Sequence, residues 1–207
     1  MAIPKKTKDY LDKKLAKYDE ISHRTVYTAY DAASTLRREL KEIAKSLLIS
    51  SDKAYVLVVV PAHMRLDLKK LKKALSAKKV SIPNEKVMVK IFKVKPGAMT
   101  AFGGLHNIEV VVDKSLLKTK DIILSAGSFT DSVRMKAKDF IQMEEARLAS
   151  FVKAGGYKKV KTQKKAKKKK PAKNKVTKRK TAAKKKTIRK KPAKAKKTIK
   201  KTAPKIK

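Results

Sequence analysis

Lys45 is the residue of this sequence whose setting most calls for chemistry. It stands in Ile43-Ala44-Lys45-Ser46-Leu47-Leu48-Ile49, a strand-like segment of small and apolar neighbours. An unpaired ammonium is costly to bury there, so the side chain must carry its charge to the surface or into a cleft. A snorkelling surface lysine and a site lysine both meet that requirement. The second chemical feature is residues 95–105, KPGAMTAFGGL, with three glycines and a proline in eleven residues. That density marks a loop of specific backbone geometry. Its amides suit an anion, although glycine loops usually serve only turn geometry. His23, His63 and His106 are far apart and form no HxH or HxxxH pair, so no metal site is expected. No GxSxG elbow, P-loop or GxGxxG follows a strand, and the aromatic residues form no base-stacking cluster of the RNP type. The chain has no cysteine, which excludes disulfides, thiol catalysis and cysteine-based zinc sites.

The elements that must position these residues follow from periodicity. Residues 55–60 (YVLVVV) are a continuous β-branched apolar run, the pattern of a central strand covered on both faces. With residues 43–49 and the joint at Ser50-Ser51-Asp52-Lys53 they form the centre of a sheet. Residues 5–15 predict a short amphipathic helix with Tyr10, Leu11 and Leu15 on one face. Residues 18–25 (YDEISHRT) predict an edge strand, and residues 28–40 a helix capped by Thr28. Beyond Pro61, Asp67 opens a helix with Leu68, Leu71 and Leu75 as its core stripe. Residues 80–83 read as extended and residues 84–92 as a helix with Val87 and Ile91 on one face. Strands are expected at 108–112, stopping at Asp113, at 121–125 before a tight turn at Ala126-Gly127-Ser128, and at 131–136, half exposed. The last helix is expected over residues 140–154, with Gly155-Gly156 as its C-terminal cap. The sum is an α/β or α+β domain: a mixed sheet of five to seven strands with surrounding helices and parallel crossovers.

Composition divides the chain. Of its 58 Lys and Arg, 27 fall between Lys158 and Lys207, a stretch without Asp or Glu; the first 157 residues keep 31 basic against all 17 acidic residues, a net charge of +14. Residues 1–156 are long enough for one domain with one core. Residues 157–207 hold too little apolar surface to offset ordering entropy and are expected to be a disordered tail. The first fifteen residues lack a signal-peptide core and no apolar run approaches a membrane span, so a cytoplasmic protein with no membrane partner is expected.

Read as a string, residues 23–33, AKSLLI with Lys45, VVVPAHMRLD, PGAMTAFGGL, VVVDKSLL and AGSFTDSVRMKAKDF resemble the YbaK and prolyl-tRNA-synthetase-associated domain, a family of aminoacyl-tRNA deacylases. Order and spacing of the six blocks agree over roughly residues 10–145. The resemblance implies a compact α/β domain that hydrolyses wrongly charged tRNA, free-standing or beside an aminoacyl-tRNA synthetase, with no cofactor. It places the family's functional lysine on Lys45, to pair with a phosphate or carbonyl oxygen of the charged 3′ adenosine. It also implies Gly97 in the glycine loop as part of the catalytic apparatus, with His23, Thr100, Ala101, Phe102, Gly103, Gly127 and Ser128 on the substrate. Two positions depart from the pattern: Ala101 stands where the GxxxP loop ends in proline, and Phe129 where histidine commonly follows Gly-Ser. Asp67 and Asp113 match family positions and read as helix caps or turn formers.

The tail lies outside that pattern. Its repeated Pro-Ala-Lys and Lys-Lys units resemble linker-histone and bacterial histone-like tails, and Lys167, Lys168, Lys169, Lys170, Arg179 and Arg189 are among its cations. Uncompensated charge of this density attracts any polyanion, so tRNA, DNA or rRNA binding without sequence reading is expected. Two readings stand: a trans-editing hydrolase whose tail supplies affinity, and an inactive YbaK-fold nucleic-acid-binding protein, nucleoid- or ribosome-associated.

Overall fold

The computed structural model describes residues 3–52 and 54–155; the expected tail, with all its named cations, lies outside them. Helix α1 (Lys5–Lys13), strand β1 (Asp19–Ser22) and helix α2 (Ala29–Leu36) lead into a hairpin of β2 (Ala44–Ser51) and β3 (Ala54–Pro61). Strand β4 (Met64–Leu66), helix α3 (Leu68–Ala74), strand β5 (Val80–Ser81) and helix α4 (Glu85–Phe92) precede the glycine loop. After it come β6 (Glu109–Asp113), β7 (Asp121–Ser125), β8 (Asp131–Lys136), helix α5 (Ala137–Met143), β9 (Arg147–Ala149) and β10 (Val152–Ala154).

The hairpin is the centre of a five-stranded mixed sheet of order β5-β2-β3-β6-β9, antiparallel at β2–β3 and parallel at β3–β6 and β6–β9. Its continuous apolar run has a direct cause. Leu57 and Val59 pack with Leu48, Val110 and Val112 on one face, while Val56, Val58 and Val60 pack with Ile49, Val111, Leu71 and Phe151 on the other. A strand covered on both sides has no solvent face on which to place polar residues.

A second sheet, β1-β8-β7, is antiparallel. Beside the core they share through Leu48, Leu57, Ile122 and Leu124, backbone pairing joins the two sheets at one junction among the described residues. The Ile123 N–H donates to Glu42 O and the Ala62 N–H to Ile43 O, each at 2.8 Å, and Ile43 and Ile123 form a parallel bridge. From there the sheets part. The outer edge of β2 meets β5 only at Ser50 and Ser51, so along residues 44–49 it has no strand partner among the described residues.

Short polar side chains set the element ends. Thr28 and Asp31 form a reciprocal capping box, Asp31 N–H to Thr28 Oγ1 and Thr28 N–H to Asp31 Oδ2, both 3.1 Å. Asp67 accepts from the N–H groups of Lys69 and Lys70. Asp113, 2% exposed, accepts from the N–H and hydroxyl of Ser115 through Oδ1, and from Phe151 N–H at 2.7 Å and Val152 N–H at 3.2 Å through Oδ2. One carboxylate thereby ends β6 and anchors β10 to it.

Several expectations are corrected. The helix predicted over residues 140–154 stops at Met143, because Glu145 turns to φ 49° and Ala146 N–H closes back on Ile141 O. The remainder forms β9, which extends the main sheet, and β10, which pairs with β4. The mixed sheet has five strands, within the expected five to seven, but the described residues also hold a separate three-stranded sheet and the β4–β10 pair, which the sequence did not separate from it. Leu15 lies beyond the end of α1 and is 89% exposed, and Leu68 is 40% exposed, leaving Leu71 as the buried anchor of α3. On β8, Asp131, Ser132, Val133 and Met135 are all buried, because the strand lies between β1 and β7. Among the described residues no helix is long and apolar enough to cross a membrane.

Replacing Asp113 with Ala would orphan the buried N–H groups of Phe151 and Val152. We expect a loss of about 3 kcal/mol by urea denaturation, and a smaller one for Asp67→Ala at its exposed cap.

Candidate active site

Where the sheets part, the structure holds a cleft of about 540 Å³. The unpaired edge of β2 contributes Ala44, Lys45, Ser46 and Leu47; the start of α2 contributes Thr28, Ala29, Tyr30 and Ala32; Pro96, Gly97 and Met99 come from the glycine loop, Met88 from α4, and Ile123, Leu124 and Ser125 from β7. Because this strand edge faces a gap, residues from both faces of β2 reach the cleft. Lys45 is the only Lys, Arg, Asp or Glu among the lining residues, and it has no ion-pair partner among the described residues. The expected lysine therefore sits half-buried in an otherwise neutral, largely apolar cleft. Beside it the Ser46 hydroxyl is buried with no hydrogen-bond partner among the described residues.

Gly97 belongs to the wall. Its φ is 96°, and a Cβ there would stand 2.8 Å from the carbonyl oxygen of Tyr27 and 3.3 Å from the Phe129 ring. Only glycine allows this loop to close on the turn before α2. The Phe129 ring packs on Tyr27 with centroids 5.2 Å apart, and its carbonyl accepts from Val26 N–H. Phe129, where the resemblance led one to expect histidine, is thus an aromatic clasp holding this wall.

His23 and Ser128 also line the cleft. The carbonyl of Arg24, 2.9 Å from His23 Nδ1, can only accept, so Nδ1 carries a proton, and Nε2 is hydrogen-bonded with the Ser132 hydroxyl, also 2.9 Å away. Asp131 accepts from the hydroxyls of Ser22, Ser128 and Thr130. Burial pushes the Asp131 carboxyl up, but the Thr130, Ser128 and Ser22 hydroxyls and nearby His23 outweigh it and hold it below the usual carboxylate range. The network braces the β1–β8 side of the cleft.

The other expected substrate residues do not reach the cleft lining. Thr100, Ala101 and Phe102 are buried at 3%, 0% and 0% exposure. Phe102 packs between Tyr10 and Phe140, and Gly103 lies against Val110 and Ile108. Gly127, with φ 100°, makes the β7–β8 turn. Ala101 also has a local reason to replace proline: its N–H donates to Ser125 O at 3.3 Å, a bond proline cannot make. His63 and His106 stand apart from the cleft; burial, with Lys6 nearby, lowers the His106 pKa against the Phe92 ring. No group of three or more metal-ligating side chains occurs among the described residues.

Sequence reasoning missed Tyr27, Tyr30, Ser46, Met88 and Ser132 as lining residues. Tyr27 and Tyr30 flank the legible cap at Thr28, and Ser46 adjoins Lys45 on an edge strand, so proximity to recognised features was the available signal. Met88 and Ser132 arrive through long-range packing and carried none.

Residues 23–143 match the aminoacyl-tRNA editing domain family. The prolyl-tRNA editing protein ProX of Acetoanaerobium sticklandii is 28% identical over 66% of this chain and 87% of its own length. The proline–tRNA ligase of Thermosipho melanesiensis is 29% identical over 48% of this chain, which corresponds to only 17% of that ligase. Among solved structures, a candidate trans-editing enzyme for prolyl tRNA synthetase superposes with a TM-score of 0.66 at 18% identity, over 74% of this chain and all of that one. The protein APE2540 superposes with a TM-score of 0.67 at 19% identity, over 72% and 100%.

Gly97→Ala should lower stability by roughly 1–3 kcal/mol, since it combines a close contact with a strained φ. The depressed folded pKa of Asp131 gives a stabilisation present above the ordinary carboxylate value of about 3.9 and lost as pH falls through the lower folded value. Urea titrations should therefore show the stability gap between wild type and Asp131→Asn narrowing as pH is lowered from about 6 towards 3.

Proposed function

The chain belongs to the aminoacyl-tRNA editing domain family, and on that premise we propose that it hydrolyses the ester of mischarged aminoacyl-tRNA in the cleft beside β2. The observation that carries this reading is Lys45, a lone cation in an apolar cleft of about 540 Å³, at the position to which the resemblance assigns the family's functional lysine. The aminoacyl side chain packs among Ile43, Leu47, Met88, Met99 and Leu124, while the Lys45 ammonium meets a phosphate or carbonyl oxygen of the terminal adenosine. A cation in a partly dry site stabilises the oxyanion that develops when water attacks the ester carbonyl. The Gly97 N–H, which donates to nothing among the described residues, is a second donor for that oxygen. The bond from the carbonyl carbon to the ribose oxygen then breaks, and the proton from water ends on that ribose oxygen, leaving free amino acid and tRNA. With His23 Nε2 occupied by Ser132, the 2′-hydroxyl of the substrate is the group that orients the water.

Residues 1–156 form the editing domain in this reading, and residues 157–207, with a net charge of +27, raise the local concentration of tRNA around it. The tail's charge also favours a second reading, a protein that binds nucleic acid without turning it over. Binding steep in salt and indifferent to DNA or RNA belongs to the tail, whereas turnover follows the cleft.

The test is a panel of tRNAs charged with alanine, serine, cysteine or proline. At least one should be deacylated, and Lys45→Ala should lower kcat/KM by about 100-fold with the fold intact. Failure of the whole panel overturns the hydrolase reading in favour of the second.

A further inference from the structure

A cationic surface distinct from the cleft lies on α3. At 100° per residue, Lys69, Lys70, Lys72 and Lys73 spread over an arc of about 160° centred opposite Leu71. Leu71 is fully buried, so all four lysines face outward, and all are exposed. Exposed Lys78 and Lys79 follow the helix. On the adjoining β4–β10 pair, Arg65 stands directly opposite Lys153 in the register, and both are exposed.

This arrangement works against stability. Like charges at i,i+3 and i,i+4 on a helix and directly across a strand pair repel. Asp67 lies within electrostatic reach of Lys70 and Lys153 but forms no ion pair with either lysine. Asp67 caps the backbone N–H groups of Lys69 and Lys70, and Asp52 accepts from those of Lys78 and Lys79. Among the described residues none of Lys69, Lys70, Lys72, Lys73, Lys78, Lys79 or Lys153 is in an ion pair. On the opposite side of the main sheet α4 packs through Val87, Met88 and Ile91 and also exposes Lys86, Lys90 and, at its C-cap, Lys93, but with Glu85 in its first turn and no adjoining Arg–Lys strand pair.

Lys45 connects this face with one side of the cleft, which Met88 of α4 lines from the other. Lys45 is opposite Val60 in the hairpin register, so it rises from the side of the sheet on which Val58, Val60 and Leu71 of α3 pack together. A chain of phosphates lying over α3 is therefore on the same side of the main sheet as Lys45.

We infer that the α3 face, with Arg65 and Lys153, is a docking surface for a phosphodiester backbone. It grips the body of the RNA whose charged end enters the cleft. The identity of that RNA rests on the proposed function; the binding of a polyanion to this face does not. Phosphate contacts of this kind position an RNA without reading its sequence.

The experiment uses the full chain and uncharged tRNA. Lysines are acylated with and without tRNA, and each site is quantified by mass spectrometry. Lys69, Lys70, Lys72, Lys73 and Lys153 should be protected several-fold, and Lys86 and Lys90 on α4 should not. In parallel, the triple change Lys69→Gln, Lys72→Gln and Lys73→Gln should reduce the slope of log K against log salt by about 2 to 3, at roughly 0.7–0.9 for each phosphate no longer neutralised. The charge-matched change Lys86→Gln, Lys90→Gln and Lys93→Gln should leave it unchanged. Equal slopes for both triples, or acylation of α3 unaffected by saturating tRNA, overturn the proposal. Both readouts are independent of turnover, so a protein that binds through α3 but deacylates nothing refutes the hydrolase reading alone.

Discussion

The hydrogen bond from Ile123 N–H to Glu42 O fixes where the two sheets of this domain part, and the cleft exists because they part there. Upstream of it, β7 runs beside the chain entering β2; downstream, β2 turns into the main sheet with its outer edge uncovered as far as Ser50. A strand edge in a folded core must be paired, covered or made useful. Here α2 and the glycine loop stand off from it by the width of the cleft. Lys45 lies two residues past the junction, and its charge enters the space that the junction opens.

The electrostatics follow from that geometry. An ammonium among Ile43, Ala44, Leu47 and Met99 is screened less than one in bulk water, so an anionic group brought to it is held more strongly than at the surface. Lys45 has no carboxylate neighbour to pair with in the cleft, which keeps the ammonium available to a ligand. The rest of the chain pulls in the same direction. A formal net charge of +41 attracts a polyanion over long distances, while the neutral walls of the cleft leave Lys45 as the local point of attachment.

Much of this was legible in the sequence where the cause is local or where both neighbours of a strand are apolar. The YVLVVV run of β3, the Thr28 cap, the Asp67 cap and the strangeness of Lys45 within β2 are of this kind. The family resemblance supplied Gly97 as part of the catalytic apparatus and His23 and Ser128 as substrate residues, and all three line the cleft. What was not legible depends on distant partners. The segment after Met143 has helical composition, yet Asp113, 38 residues earlier than Phe151, takes its backbone N–H groups and fixes it as extended chain. Thr100, Ala101 and Phe102 look like an exposed loop continuing from Gly97, but Phe102 is drawn between Tyr10 and Phe140 and carries its neighbours into the core. Met88 and Ser132 reach the cleft only because α4 and β8 pack where they do.

The central claim is that the charged end of the substrate enters the cleft beside Lys45. Methionine methyls report on it directly, since Met88 and Met99 line the cleft and Met64, on β4, does not. With ¹³C-methyl methionine in the full chain, a non-hydrolysable 3′-alanylamido analogue of the terminal adenosine should shift the Met88 and Met99 resonances and leave Met64 in place. Unmoved Met88 and Met99 signals at a concentration where calorimetry shows the analogue fully bound would contradict it and place the substrate elsewhere on the molecule.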